Sequence, residues 1–482
     1  MVAHGWERRF EEYAADLIAR SGIPSAAVAL ARNGETIYEA GFGHRDAEGR
    51  LPVTPDTRFG LGSVTKSFPC LCIVQLAEAG ALSVHDPVVT WLPEFRLPGA
   101  AGAEYTPRVT IHHLMTHAAG IPPEPSLLHA RAASIVADPD LNRMHPVPMG
   151  VPPDIRSWER ITTYEELMAL MARQDFAVLG PPGSVISYSN EGFVLLAAIV
   201  ERVTGQGFGA YLQAHVLDPL EMARTGLYTR KTPPDEPEVV PFAVDTRSGA
   251  REVFPSPAWW DQGTMFGNGG LKSTTRDLLH YLELYRTDGA SHGTRVISPD
   301  GVRQMTVPHQ PIPTASLSHG GYGYGLRIDQ IAGLGTSIGH GGGNKGVATQ
   351  VLAVPELGLT AVALTNLANA PAAKLAQGMI LAAAGRAPEG PWIDYPEHAV
   401  NPSALARYVG AYQGQPGSIS QVTVRDGALY VASGAEPQLA RPYAPGSFYL
   451  EAADEVVTFL ERPSGEVWAM ASGLRTFPRI NL

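Results

Sequence analysis

Residues 61–80 read LGSVTKSFPCLCIVQLAEAG, and this apolar stretch decides how the rest of the chain is interpreted. Its composition predicts a buried helix that begins near Ser63 and ends at Gly80. Ser63 and Lys66 are separated by one helical turn, so their side chains share one face. Because a lysine amine in a tight apolar site can lose its charge, Lys66 could take the proton of the Ser63 hydroxyl. A surface helix start would explain the same S-x-x-K spacing without any chemistry.

Two further short motifs place polar groups next to turns. Tyr188 and Asn190 frame the only Y-x-N sequence of the chain, which opens an apolar helix predicted over 190–204. A phenol close to an ammonium group can shuttle protons, and the Asn190 amide can bind a substrate carbonyl. His340 opens the run HGGG over 340–343, where glycines would let a substrate lie against a strand edge. A packed tyrosine, a helix cap and a plain turn are the alternatives for these residues.

The order of predicted elements indicates an α+β fold. A hairpin centred on Asn33-Gly34 comes first, because this pair supplies the positive φ angles of a tight turn. A mostly helical middle follows, with one helix predicted over 275–286, and two strand-like stretches precede a helix over 371–384. We therefore expect an antiparallel sheet in which N-terminal and C-terminal strands pair, with helices on its faces. The Pro-rich segment 123–160 is predicted to be an irregular surface excursion, either a lid or an insertion without a role in chemistry.

The composition of the chain changes after Gly385. Residues 386–399 are rich in proline and predict a linker, and short β-like runs separated by turns fill residues 400–482. Such regularly spaced turn signals are typical of a small β-barrel or β-sandwich. The sequence therefore predicts three parts, which are residues 1–385, the linker and the C-terminal β domain. We expect the β domain to shape access or assembly and to supply no catalytic group.

Charge and hydropathy exclude several classes of function. The chain has 482 residues, with 36 basic and 47 acidic side chains and a net charge of −11. It has no basic run, so we expect no nucleic-acid partner. No apolar run reaches the roughly 18 residues of a transmembrane helix, so we expect no membrane span. The N-terminal residues predict an amphipathic helix without the features of a signal peptide, and we expect a cytoplasmic protein.

Two other patterns, a G-x-S-x-G sequence and a pair of histidines, are weaker indications of a functional site. Ser337 lies in a G-x-S-x-G sequence, but a nucleophile elbow needs a strand, a sharp turn and a helix, and here a glycine run and a strand follow. His113 and His117 are four residues apart, but Leu114 stands where a zinc-binding H-E-x-x-H motif needs glutamate. We therefore predict structural histidines, with His117 bracing a loop near the site, and no metal.

Taken together, the three motifs occur in an order and at spacings that resemble the serine β-lactamase and penicillin-binding-protein superfamily. The resemblance is in particular to the class C β-lactamase-like group, which includes D-aminopeptidases, related D-peptidases and family VIII carboxylesterases. It covers roughly residues 10–385 and includes HLMTHAAGIP at 113–122, GNGGLKSTTRDL at 267–278 and YGYGL at 322–326. It implies an antiparallel sheet flanked by helices with an all-helical subdomain. Some peptidases of the family also carry lipocalin-like C-terminal domains.

The resemblance assigns the catalytic roles. Ser63 is implied to be the nucleophile, Lys66 its activator and Tyr188 the proton shuttle between nucleophile and leaving group. The implied reaction is acyl transfer through a covalent acyl-Ser63 intermediate, followed by hydrolysis. No cofactor is implied.

The resemblance also assigns substrate-binding positions. Asn190 would contact the substrate amide, with His340 and Gly342 beside it, and the backbone N–H groups of Ser63 and Gly343 would form an oxyanion hole. The third motif departs from the family, because β-lactamases usually carry K-T-G where this chain has H-G-G. A permanent cation for a substrate carboxylate is missing there, because neutral histidine is a weaker anchor. This departure favours a peptidase or an esterase over a β-lactamase.

These observations predict a serine hydrolase that acts on a small amide or peptide, including peptides with D-residues. A carboxylesterase of the family VIII type uses the same residues and is the alternative. A class C-like β-lactamase and a ligand sensor that is acylated and then stalls are the remaining candidates. The sequence leaves open the natural substrate and the formation of a homo-oligomer.

Overall fold

The computed structural model describes residues 5–123, 126–228, 236–263, 265–315, 317–414, 418–434 and 436–481. The α-helices within these residues are α1 (Gly5–Ser21), α2 (Ser67–Glu78), α3 (Val88–Trp91), α4 (Gly99–Tyr105), α5 (Ile111–Met115), α6 (Ser126–Val136), α7 (Tyr164–Arg173), α8 (Asn190–Thr204), α9 (Phe208–Leu212), α10 (Thr275–Arg286), α11 (Pro299–Thr306) and α12 (Ala372–Ala383).

The strands fall into a larger N-terminal part and a C-terminal barrel. Those of the N-terminal part are β1 (Ser25–Arg32), β2 (Glu35–Gly43), β3 (Phe59–Gly60), β4 (Gly226–Leu227), β5 (Phe242–Asp245), β6 (Glu252–Pro255), β7 (Leu271–Ser273), β8 (Ala290–Ser291), β9 (Thr294–Arg295), β10 (Gln310–Pro311), β11 (Gly321–Tyr322), β12 (Arg327–Ile331), β13 (Gly335–Asn344), β14 (Val347–Val354) and β15 (Leu359–Thr365). Those of the barrel are β16 (Gly410–Gln413), β17 (Ile419–Arg425), β18 (Ala428–Ala432), β19 (Gln438–Ala444), β20 (Ser447–Leu450), β21 (Glu455–Glu461), β22 (Val467–Ser472) and β23 (Arg475–Ile480).

The main sheet is antiparallel and has the strand order β10-β11-β12-β13-β14-β15-β1-β2. Its centre joins the two ends of the N-terminal part, because Ala29 of β1 lies opposite Val362 of β15. Asn33 and Gly34 have φ angles of 53° and 83° in the turn between β1 and β2. The predicted hairpin and the predicted pairing of N-terminal with C-terminal strands are both confirmed.

Helices cover both faces of this sheet, because β1 and β15 are apolar and almost wholly buried. On one face, α1 and α12 pack through Phe10 and Leu375 against Val28. On the other face, α2, α8 and α10 form the larger core. The predicted α+β class with helices on both sides of an antiparallel sheet is confirmed.

The helix that carries the S-x-x-K motif begins differently from the prediction. Residues Gly62–Lys66 form a 3₁₀ turn, and the α-helix proper starts at Ser67. Gly62 occupies a left-handed conformation with φ of 53°, which a glycine adopts without strain. The tighter turn lets Ser63 stand at the edge of the buried helix, whereas Lys66 is completely buried.

The segment 123–160 also differs from the irregular excursion that its weak periodicity predicts. It contains α6, whose residues Leu127, Leu128, Arg131 and Ile135 are buried. Lys345, next to the end of β13, forms a buried ion pair with Asp138 just after this helix. Tertiary packing, rather than local pattern, therefore fixes this segment against the sheet.

The C-terminal β domain is a closed eight-stranded barrel, which decides between the predicted barrel and sandwich. Tyr412, Phe448 and Phe459 lie in its core, and Tyr412 donates a hydrogen bond to the carbonyl of Tyr408. Prolines and arginines interrupt the alternation of strands β19 and β23, so the local sequence signal of these two strands is weak. Closure between β16 and β23 leaves this sheet without a free edge.

No single helix in the described ranges is long and apolar enough to span a bilayer. Residues Asn190–Thr204 and Phe208–Leu217 reach that length only as a pair, across a bend of 82°.

Candidate active site

The turn that carries Ser63 lies directly against β13. Thr349 of the neighbouring strand donates a hydrogen bond of 2.8 Å to the carbonyl of Leu61. Gly342 faces that same carbonyl so closely that a Cβ atom at this position would overlap it. The glycine run of the third motif therefore permits the strand and the serine turn to meet.

Lys66 is completely buried, and its amine lies among three oxygen atoms. The Nζ atom donates hydrogen bonds to Ser63 Oγ at 3.1 Å and to Asn190 Oδ1 at 2.8 Å. A third bond of 2.8 Å goes to the carbonyl oxygen of Asn268. The structure thus brings the first two sequence motifs together at a single amine.

The environment of Lys66 favours its neutral form. Burial lowers the pKa of the amine well below its ordinary value, and the positive charges of Arg131 and Arg475 lower it further. The carboxylate of Glu191 acts in the opposite direction and raises this pKa. In the neutral form the two N–H groups of the amine can donate to Asn190 and Asn268, and its lone pair can accept the proton of the Ser63 hydroxyl.

Tyr188 lies beside the same pair. The Lys66 amine is 4.6 Å from the centre of the Tyr188 ring. Burial raises the pKa of the phenol, and the Ser63 hydroxyl, which interacts with it, opposes that shift. The ring of His117 packs 4.2 Å from the Tyr188 ring, and His117 Nδ1 accepts a 3.1 Å hydrogen bond from the N–H of Ser189. The loop before α8 is thus braced by His117, as the sequence predicts.

Asn190 is the first residue of α8, and its side chain points to Lys66 rather than capping the helix. The cap is supplied by Ser189, whose hydroxyl accepts a 3.2 Å hydrogen bond from the N–H of Gly192. Asn190 therefore keeps its amide available at the edge of the site.

His340 lies in β13 and is buried. Its Nε2 atom is 2.9 Å from the hydroxyl of Tyr322, and its ring centre is 6.2 Å from that of Tyr188. Burial is the main reason that the pKa of His340 is lowered to about 3. A neutral imidazole at this position agrees with the expectation that the third motif provides no permanent cation.

A pocket of about 330 Å³ opens over Ser63. Four of the predicted site residues line this pocket, and they are Ser63, Tyr188, Asn190 and Gly343. A Cβ atom at Gly343 would meet open space, so this stretch of backbone faces the pocket. A larger groove of about 740 Å³ lies between the N-terminal part and the barrel, and none of the predicted site residues lines it.

Five charged or polar residues of the pocket were missed in the sequence, and they are Arg131, Glu191, Asn268, Asn344 and Arg475. Asn268 lies in the quoted segment GNGGL and could have been found there. Glu191 adjoins the Y-x-N motif, where Leu127 N–H and the Ser189 hydroxyl donate to its carboxylate. Arg131 and Arg475 come from α6 and the barrel, and no local pattern marks either of them.

Comparison with known proteins gives a consistent result. The sequence profile of the family described as Beta-lactamase matches residues 7–384. Penicillin-binding protein 4* of Bacillus subtilis (strain 168) is 24% identical over 453 residues, covering 90% of this chain and 89% of that protein. Esterase EstB of Burkholderia gladioli is 32% identical over 285 residues, covering 55% of this chain and 66% of the esterase.

Solved structures share the same architecture. The octameric penicillin-binding protein homologue from Pyrococcus abyssi superposes with a TM-score of 0.68 at 24% identity, over 97% of this chain and 99% of that chain. The D-stereospecific amidohydrolase from Streptomyces sp. gives a TM-score of 0.58 at 24% identity, over 77% and 96% of the two chains. At these identities the superpositions establish the fold alone. Since the family profile matches most of the sequence, the chain belongs to the beta-lactamase family of serine hydrolases.

Proposed function

We propose that the protein hydrolyses small amides or peptides, including those with D-residues, through a covalent acyl-Ser63 intermediate. The observation that carries this proposal is the 3.1 Å separation of the buried Lys66 Nζ atom and Ser63 Oγ, which brings the hydroxyl within hydrogen-bond distance of the amine. The lowered pKa of that amine supports its role as a base. The serine itself is only half-buried and lines the pocket, so a substrate can reach it.

The proposed reaction proceeds in two halves. In the first, Ser63 Oγ bonds to the substrate carbonyl carbon while the neutral Lys66 amine takes the hydroxyl proton. Tyr188 then passes a proton to the departing nitrogen or oxygen, the bond to the leaving group breaks, and the Lys66 ammonium returns a proton to the Tyr188 phenolate. In the second half, water bonds to the acyl carbon and gives a proton to the neutral Lys66 amine. The bond between the acyl carbon and Ser63 Oγ then breaks, and the proton passes from Lys66 through Tyr188 to Ser63 Oγ.

The carbonyl oxygen gains negative charge in both halves. We assign its stabilisation to the backbone N–H groups of Ser63 and Gly343, which belong to the serine turn and to β13 where the two are in contact. Support comes from Gly62, where a Cβ atom would lie only 2.6 Å from the nitrogen of Gly343. Preorganised donors of this kind stabilise the tetrahedral intermediate without further rearrangement.

Two observations support small amides as substrates, which are the size of the pocket and the similarity of the fold to that of an amidohydrolase. A pocket of about 330 Å³ accommodates a short substrate and one side chain. A structural neighbour is named as a D-stereospecific amidohydrolase. A carboxylesterase is the second candidate, and the 32% identity to esterase EstB favours it.

A substrate panel tests the proposal. Wild-type protein and Ser63→Ala are assayed on a nitrophenyl ester, a D-alanine anilide, an L-alanine anilide and a chromogenic cephalosporin. We expect anilide cleavage with preference for the D-isomer, and loss of all turnover in Ser63→Ala. Ester cleavage without anilide cleavage would assign the protein to the esterases. Cephalosporin turnover equal to that of the best substrate would identify a β-lactamase, and a labelled protein without turnover would identify a sensor.

A further inference from the structure

We propose that Arg475, supplied by the C-terminal barrel, binds a carboxylate on the departing part of the substrate. This inference rests on the proposed function, because it uses the Ser63 and Tyr188 chemistry to define which part departs. It makes the substrate an anionic one, with the negative charge on the leaving-group side of the scissile bond. The cation that the third motif lacks thus comes from a different domain.

The backbone on both sides of Arg475 is held against the N-terminal part of the chain. The carbonyl of Leu474 accepts a 2.9 Å hydrogen bond from the N–H of Tyr188. The hydroxyl of Thr476 donates a 2.8 Å hydrogen bond to the carbonyl of Ile186. Because these two contacts flank Arg475, its side chain starts from a fixed point at the pocket wall.

The guanidinium of Arg475 lies near enough to the Glu191 carboxylate to interact with it electrostatically. Within the part of the chain that the structure describes, it forms no hydrogen bond or ion pair. Glu191 is the acidic residue of the pocket, but the N–H of Leu127 and the hydroxyl of Ser189 donate to its carboxylate oxygens. A half-buried guanidinium in this state presents its planar donors to a ligand, and a carboxylate matches their geometry.

The charge balance of the pocket also favours an anion. Arg131 and Arg475 contribute two positive charges to the lining, and Glu191 contributes one negative charge. Lys66 adds no lasting positive charge, because its environment favours the neutral amine. The pocket therefore carries an excess of positive charge when the amine is ready to act as a base.

The position of Arg475 indicates which end of the substrate it contacts. Its guanidinium carbon lies 5.7 Å from the centre of the Tyr188 ring. Tyr188 is the group that we propose to protonate the leaving atom, so Arg475 stands beside the departing part. Arg131 belongs to α6, which forms another wall of the pocket. Its Nε atom donates a 2.7 Å hydrogen bond to Gln262 Oε1. The two guanidinium groups therefore come from separate walls of the pocket.

Two matched pairs of esters test the proposal with the full chain. In the first pair, para-acetoxybenzoate and its methyl ester differ by a carboxylate on the leaving group. In the second pair, phenyl hemisuccinate and phenyl butyrate differ by a carboxylate on the acyl group. For each pair, the ratio of kcat/KM for the charged to the neutral ester is measured in wild type, Arg475→Gln and Arg475→Lys.

We expect Arg475→Gln to lower the first ratio by about 10- to 100-fold, because a charge-assisted hydrogen bond is lost. Arg475→Lys should restore part of that ratio, since it keeps the charge. Arg425→Gln, which removes an exposed arginine of the same barrel, is the matched control and should leave the ratio at its wild-type value. A ratio that Arg475→Gln does not change, or a fall confined to the second pair, would overturn the proposal. Hydrolysis that survives Ser63→Ala would instead refute the proposed function.

Discussion

The backbone N–H of Tyr188 donates a 2.9 Å hydrogen bond to the carbonyl of Leu474, which lies between the last two strands of the barrel. The residue proposed to move the leaving-group proton is therefore held by the C-terminal domain. Two more bonds join the same regions, from Thr476 to the carbonyl of Ile186 and from Thr314 to the carbonyl of Gly473. The sequence predicts that this domain shapes access, and the structure adds that it forms part of the frame of the site.

Thr476→Val should weaken the contact between the barrel and the loop that carries Tyr188. The substitution keeps the shape of the side chain but leaves the buried carbonyl of Ile186 without its donor, at a cost of about 1–3 kcal/mol. We expect kcat for a small ester to fall severalfold, because the loop that carries Tyr188 loses a support. Thr423→Val, at a partly exposed position of the same barrel, is the control. Equal kcat values in wild type and Thr476→Val would contradict the account.

Lys66 and Tyr188 should behave as one proton-transfer unit. Lys66→Arg should lower kcat/KM by about 10²–10⁴-fold, because a guanidinium does not release its proton. The double variant of Lys66→Ala and Tyr188→Phe should lose little more activity than the worse single variant. A double-mutant cycle in kcat/KM checks this expectation, and independent multiplication of the two losses would refute it.

The pH at which kcat/KM rises should depend on the charged residues around Lys66, because they change the pKa of its amine. Activity requires the neutral amine, so kcat/KM should rise with pH through a limb well below the ordinary lysine pKa. Glu191→Gln removes a negative charge that stabilises the ammonium, so it should move the limb to lower pH. Arg131→Gln removes a positive charge and should move the limb to higher pH. Shifts in the same direction for both variants would show that Lys66 is not the titrating group.

Gly342→Ala should separate the serine turn from β13. An added Cβ atom would overlap the carbonyl oxygen of Leu61, which is backbone and cannot turn away. A displacement of about 1 Å at the site can cost ~100-fold in rate, and we expect a loss of that size. Gly341→Ala is the control, since its Cβ atom would meet only the side-chain end of Gln350 at 3.0 Å. Activity assays and thermal unfolding of both variants check the prediction, which wild-type activity in Gly342→Ala would disprove.

The parts of the fold that were predicted from the sequence carry strong local signals. Asn33-Gly34 marks a tight hairpin, and the largely apolar stretches of β14 and β15 indicate buried strands. Helix α6 was missed because the sequence around it is broken by prolines and its apolar face is fixed by contacts with distant residues. Strand β23 carries a weaker local signal, because Pro478 and two arginines obscure its alternation.

The predicted site residues were found because each belongs to a short motif with its own chemistry. Ser63, Lys66, Tyr188 and Asn190 meet within hydrogen-bond or ring-contact distance in the structure. Arg475 follows the last of these residues by 285 positions and reaches the pocket only through the docking of the barrel. Such long-range juxtaposition leaves no periodicity or spacing in the sequence.

The mechanism depends on Ser63 being the nucleophile, and mass spectrometry of a covalent adduct tests this directly. Wild-type protein is treated with a fluorophosphonate, digested and mapped, with Ser63→Ala and Ser337→Ala treated in parallel. We expect one adduct, on the peptide that contains Ser63, in wild type and in Ser337→Ala, and none in Ser63→Ala. An adduct on Ser337, or an adduct that persists in Ser63→Ala, would contradict the account.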